Sequence, residues 1–204
     1  MKNIVVVIGG KGTSGKSTFI MNIKEIIGAE KCQEFSTIDP VKEIVLRMHE
    51  MEHATLMKNL NIESTSFWNK HFNVIVPIHK DITEKTDAYR SLLHDIKMAW
   101  CEIDDGPNLI TFCRVNDFFN RGGTVAFVNC REPEQIQHIL DTLRRDKPEW
   151  TTISMNIVRN NTDLWTNEGD KTTDDFAYDT TIENNGTLDD LMHAAKVFIN
   201  HYYI

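Results

Sequence analysis

Apolar and polar positions fall into two regimes along the chain. Asn3–Ile8 is a continuous β-branched run closed by Gly9-Gly10, which predicts a strand buried on both faces, as at the centre of a parallel sheet. Ser17–Ile27 follows, with Phe19, Ile20, Ile23, Ile26 and Ile27 at helical spacing and Gly28 as its stop. Gln33–Ile38 predicts a short second strand. Asp39-Pro40 then opens a helix over Val41–Leu60, with proline at the first helical position. Residues 61–124 break the alternation and predict two helices, Thr83–Trp100 and Leu109–Phe119, separated by the turn Asp105-Gly106-Pro107. The first presents an apolar stripe of Tyr89, Leu92, Leu93, Ile96 and Ala99. Alternation resumes with a strand at Thr124–Cys130, a helix at Glu134–Arg145, strands at Thr151–Val158 and Ala177–Ile182, and a last helix at Thr187–Asn200. Strand-helix alternation with right-handed crossovers implies an α/β fold with a doubly wound parallel sheet, whose ligands bind at the carboxyl ends of the strands. The expected organisation is one domain over 1–204, with a helical insertion at 61–124 and a short lid at 159–177.

Chemistry enters between the first strand and the first helix. Gly10-Lys11-Gly12-Thr13-Ser14-Gly15-Lys16-Ser17 matches G-x-x-x-x-G-K-[ST] in the strand-to-helix context that the mechanism requires. Backbone N–H groups of such a loop point inward at a phosphate, and the helix N-terminus adds partial positive charge. Lys16 would reach the transferred phosphate and Ser17 would hold Mg²⁺, with Thr18 the next residue of the nucleotide-binding set. Asp39, at the end of the second strand, is positioned to accept a substrate proton or to hold a metal-bound water; a helix N-cap is the structural alternative. Arg131 and Arg159 follow the third and fourth sheet strands and so start from the ligand face, where arginine suits phosphate clamping. Arg144, Arg145 and Lys147 end a helix that runs away from that face and complement its dipole. Arg90, taken alone, is a helix arginine that could serve a ligand or a surface ion pair. Trp68, Trp100, Phe118 and Phe119 are assigned to the core. The turn at Glu183–Leu188 is an ordinary turn and cap, with Thr187 as N-cap, whose backbone could also bracket a purine. His49-Glu50-Met51-Glu52-His53 satisfies the zinc motif H-E-x-x-H, but no third ligand is identifiable, and it reads as a solvated helix face.

Charge narrows the partners. The 204 residues carry a formal charge of -8, and residues 161–190 hold nine acids against one base, so the other 174 residues balance at 21 of each. The acidity is local. With no basic run, a duplex nucleic-acid partner is excluded, and no apolar stretch is long enough for a membrane span. Cys32, Cys101, Cys113 and Cys130 are scattered and form no C-x-x-C pair, which predicts reduced, buried thiols in a soluble, cytoplasmic protein. A second copy of the chain, as a homodimer, is the one macromolecular partner left open.

Four segments together resemble the P-loop nucleoside and deoxynucleoside monophosphate kinases, especially those of the phage-type deoxynucleotide group, with dephospho-coenzyme A kinase as a cousin. They are the phosphate loop, Phe35–Ile44 (FSTIDPVKEI), Arg131-Glu132-Pro133-Glu134, and 181–191 (TIENNGTLDDL). The resemblance implies a three-layer P-loop NTP hydrolase fold, a five-stranded parallel sheet in the order 2-3-1-4-5 with a helical insertion, using ATP and Mg²⁺ to phosphorylate a nucleoside monophosphate. It also implies Asn184, Asn185 and Gly186 beside the adenine, and Arg90 on the acceptor phosphate together with Asp39 and Arg131. Two positions depart from the family pattern. Asn129 stands where an aspartate is frequent, and 160–176 contains only Lys171 as a base where many relatives carry an arginine lid. Arg131 and Arg159 would then supply the charge. Two other readings stay open: a kinase of another small hydroxyl compound, and a nucleotide-binding regulator or degenerate kinase.

Overall fold

The computed structural model describes residues 2–47, 87–160 and 173–203. The central strand β1 (Ile4–Gly9) is buried along its whole length, as its unbroken β-branched run requires. Around it lie β2 (Cys32–Ser36), β3 (Val125–Asn129), β4 (Thr151–Val158) and β5 (Thr180–Glu183), in one sheet of order β2-β3-β1-β4-β5. Every pairing is parallel, with Ile8 opposite both Asn129 and Met155, and Gly9 opposite Asn156. This is the α/β architecture and strand order expected from sequence.

Alternate residues of β1 serve two cores. Ile4, Val6 and Ile8 pack with Phe19, Ile20 and Ile23 of α1 (Lys16–Ile27) and with Leu191, Ala195, Phe198 and Ile199 of the last helix (Leu188–Tyr202). Val5 and Val7 face the other side, with Val115, Phe118 and Phe119 and with Ile136, Ile139, Leu140 and Leu143 of the helix Pro133–Asp146. Helices thus cover both faces and make three layers.

The chain divides into two compact units, Met1–Thr37 with Asn108–Ile204, and Ile38–Pro107. This differs from an insertion spanning 61–124. The helix Gly106–Asn120 carries Val115, Phe118 and Phe119 at helical spacing, and their burial makes most of that helix part of the sheet unit. Of the lid at 159–177, the described residues 159–160 and 173–177 also belong to the sheet unit, and 161–172 lie outside the described residues. In the second unit a helix (α2) starts at residue 39 and is described to 47, so Asp39 and Pro40 are its first two residues rather than its cap and first residue. Ile38 supplies the capping carbonyl, accepting from the Lys42 N–H at 3.1 Å.

Helix α3 (Asp87–Asp104) forms where expected but buries a different face. Leu92 is 48% exposed and Ala99 is exposed, while Leu93 and Lys97 are buried. Trp100 lies against Gly106. The thiols also depart from expectation. All four cysteines are free and Cys32 and Cys130 are buried, but Cys101 is half-buried and Cys113 is exposed on a helix whose apolar side is turned to the sheet. Burial pushes the Cys32 thiol up to about 12, so it stays protonated. No described helix is long and apolar enough to cross a membrane. Trp68 and the H-E-x-x-H segment at His49–His53 lie outside the described residues.

Candidate functional site

The loop between β1 and α1 owes its shape to three left-handed residues, Gly10 (φ 117°), Thr13 (φ 62°) and Gly15 (φ 104°). Glycine is required at the first and last for two reasons. The dihedral disfavours a Cβ, and the space is taken: a Cβ on Gly10 would stand 2.7 Å from the Ile157 carbonyl oxygen, and one on Gly15 would collide with the Asn184 amide. Left-handed turns of this kind direct successive N–H groups into a concavity. Gly15 caps α1 without a side-chain hydrogen bond, so the helix presents its amino end to that concavity.

Lys16 curls into the same space, its Nζ donating to the carbonyls of Gly10 and, at 2.8 Å, of Lys11. Ser14 is 1% exposed, and its Oγ has no hydrogen-bond partner. An amide nest, a half-buried lysine ammonium and an orphan hydroxyl are a donor set that fits phosphate. Ser17, the second residue of α1, is the member of this set whose hydroxyl would hold a magnesium ion. Among the described residues no group of three or more acidic, histidine or cysteine side chains forms a separate metal site.

The turn after β5 braces the loop. Asn184 Nδ2 donates to the Ser14 carbonyl at 2.8 Å, and Asn185 Oδ1 accepts from the Asn160 N–H at 2.7 Å. Gly186 lies against the Asp190 carboxylate, which accepts from the Thr187 N–H and hydroxyl, each at 2.8 Å, while the Asp190 N–H donates back to Thr187 at 3.2 Å. This reciprocal cap holds the Asp190 carboxyl below its usual range, chiefly through the Thr187 backbone N–H. The three residues assigned to the adenine side therefore link the phosphate loop, the exit of β4 and the last helix. Their placement is a consequence of β5 being the edge strand next to β4.

The other strand ends carry committed groups. Asn129, at the end of β3, donates from Nδ2 to Glu34 Oε1 at 2.7 Å and to the Phe35 carbonyl at 3.2 Å. An aspartate there could donate neither bond. Asp39 Oδ1 pairs with Lys42 Nζ at 2.8 Å within the second unit. Arg131 is half-buried beyond β3 and Arg159 is exposed beyond β4. Arg90 is half-buried on α3, three residues before Leu93 and seven before Lys97, both of them buried. Arg144 reaches Asp179 Oδ2 at 3.3 Å, so it ties a helix to the start of β5 and is not confined to complementing its helix's dipole.

Several residues that shape the site have no place in the sequence motifs. Asn156, 4% exposed between Met155 and Ile157 of β4, faces Gly9 across the sheet, and its Nδ2 donates to Asp174 Oδ1 at 3.4 Å. Asp174 Oδ2 pairs with Lys11 Nζ at 2.8 Å. The Tyr178 hydroxyl donates to the Thr173 carbonyl at 3.0 Å beside Gly9, and burial raises its pKa and keeps it a donor. A polar residue inside a buried strand was the available sign for Asn156. Asp174 was one acid among nine in an acidic segment and carried no individual sign.

No protein-family model matches the chain, and no curated protein matches it. Among solved structures it is similar to the APS kinase CysC of Mycobacterium tuberculosis in a cysteine-to-alanine mutant, at 10% identity and a TM-score of 0.41, covering 98% of each chain. It is also similar to a sugar kinase from Janibacter sp. HTCC2649, at 10% identity and a TM-score of 0.39, covering 97% of this chain and 95% of that one. At that identity and superposition the likenesses carry no information on substrate or mechanism.

Proposed function

We propose that the protein transfers the γ-phosphoryl group of ATP to a nucleoside monophosphate. The observation that carries the reading is the complete phosphate loop in its strand-to-helix setting, with left-handed glycines, an uncapped helix amino end and Lys16 turned into the concavity. Backbone N–H groups of residues 12–17 would hold the phosphates, and Lys16 would carry positive charge to the transferred group. Ser17 would hold Mg²⁺, which would supply neutralisation of phosphate charge. Arg131 and Arg159 would add charge from the strand ends, and Asn184 keeps the loop closed by holding Ser14. On the acceptor side Arg90 and Asp39 would orient the monophosphate; the resemblance at Phe35–Ile44 and the Arg-Ser-Leu-Leu helix support this part.

A coupled ADP-release assay across ribo- and deoxynucleoside monophosphates tests the proposal. Turnover should appear with at least one acceptor and fall by about 10²- to 10³-fold in Lys16→Ala, the range for removal of a preorganised electrostatic group. Wild type no faster than Lys16→Ala on every acceptor would sink it.

A second reading, a nucleotide-binding regulator, is favoured by Asn129. Its amide is committed to Glu34 and Phe35, so β3 ends without the carboxylate that helps organise metal in many such sheets. Tight ATP binding with no transfer to any acceptor would select it.

A further inference from the structure

The 3-10 turn Thr173–Asp175 brings a carboxylate to the phosphate loop from outside the loop's own motif. It is well anchored. Thr173 is fully buried, its Oγ1 donates to the Arg131 carbonyl at 3.2 Å, and its own carbonyl accepts from Tyr178. From this base Asp174 reaches Lys11 with one oxygen and Asn156 with the other. A second observation marks the same spot. The buried, unpartnered Oγ of Ser14 and Oδ1 of Asn156 lie 3.0 and 3.3 Å from the point where a Gly10 Cβ would stand. The Ser14 hydroxyl, able to donate to an anion, and the Lys11–Asp174 ion pair thus flank the first residues of the loop, and Asn156 Oδ1, an acceptor, adds a further partial negative charge beside Asp174.

We propose that Asp174 is an affinity-setting counter-ion of the phosphate loop: it holds Lys11 in the free protein and yields it to a phosphate group when a nucleoside polyphosphate binds. The proposal rests on the loop being a polyphosphate site and not on the identity of the acceptor. The two side chains are 30% and 41% exposed, so solvent screens the pair and the exchange has little to overcome. A polyphosphate offers Lys11 more negative charge and a charge-assisted hydrogen bond. Once Lys11 has moved, Asp174 stays near the phosphates as a like charge, because Thr173, Tyr178 and Asn156 keep its turn in place. Its effect is to weaken nucleotide binding, and on release of the product the carboxylate reclaims the lysine. The ordinary result of adding an acid beside a phosphate site is lost affinity; here the acid also sets the free-state position of a cation.

Isothermal titration of the full chain with ADP and with tripolyphosphate, at one fixed salt concentration, tests this. The variants are Asp174→Asn, Asp174→Ser, Lys11→Gln and the Lys11→Gln/Asp174→Asn pair, each checked for cooperative thermal unfolding. Asp174→Asn should bind ADP about 2- to 5-fold more tightly than wild type, the worth of one solvent-screened ion pair. Lys11→Gln should bind more weakly, and in its background the gain from Asp174→Asn should fall by more than half. Two serine and asparagine variants that both leave affinity unchanged or weakened overturn the proposal, as does the same gain with and without Lys11. Wild type that binds neither ADP nor tripolyphosphate overturns the phosphate-site reading itself, so the two failures are told apart.

Discussion

Helices α1 and α3 each carry a run of apolar residues at helical spacing, and they meet opposite fates. α1 buries Phe19, Ile20 and Ile23 to 1% exposure or less. In α3, Ile103 is 81% exposed and Leu92 48%, while the charged Lys97 is 3% exposed. α1 leaves a strand buried on both faces through a loop of six residues, so the connection permits only one way of packing back on the sheet. α3 belongs to the second unit, and the face it buries carries Leu93 and Lys97, with Arg90 half-buried one turn before Leu93. The lesson concerns function as much as packing. A helix fixed by hydrophobic geometry serves a preformed phosphate loop, whereas a helix that buries Lys97 while exposing Leu92 and Ile103 has exchanged apolar contact for charge on one face.

Four substitutions probe that contrast, from the largest effect to the smallest. Phe19→Ala, which removes a ring packed edge-on against Phe127 and Phe198, should cost about 3–5 kcal/mol in chemical denaturation. A cost under 1 kcal/mol would show that α1 is not the fixed element described. Asn184→Ala leaves the Ser14 carbonyl without its donor and should lower stability by about 1–3 kcal/mol while weakening ATP binding; unaltered ATP affinity would mean the brace is dispensable.

Asp190→Asn tests the cap beside the loop through pH. The folded-state pKa of Asp190 is depressed, so its contribution is present above the ordinary carboxylate range and is lost as pH falls through the folded value. The melting temperature of Asp190→Asn should therefore lie below wild type at pH 7, with the gap closing at pH 3. An equal gap at both would contradict the assignment. Finally, Ile103→Ala should change stability by no more than about 0.5 kcal/mol, since little apolar contact is lost at an exposed position. A loss near that of Phe19→Ala would remove the distinction between the helices.

Much of the sheet unit was legible in the sequence because its signals are local. The run at Ile4–Gly9, the motif at Gly10–Ser17 and the spacing through Ile27 are read within one stretch of chain, and β4 matches its predicted ends of Thr151 and Val158. Long-range pairings were not legible. Asn184 meets Ser14 across 170 positions and Asn129 meets Glu34 across 95, and no periodicity encodes either. The face of α3 was misjudged for a related reason: Leu92, Leu93 and Ile96 satisfy two overlapping stripes, and only the packing of the folded chain selects the one through Leu93 and Lys97. Acidic residues were visible as a segment charge, yet Asp174, Asp179 and Asp190 each do a different task, set by the donors they meet.

The most direct test of phosphoryl transfer follows the label itself. Wild-type protein incubated with γ-labelled ATP, Mg²⁺ and a panel of nucleoside monophosphates should place label in a nucleoside diphosphate, and Lys16→Ala should not. Label found only in ATP and inorganic phosphate, for every acceptor in the panel, would contradict the account.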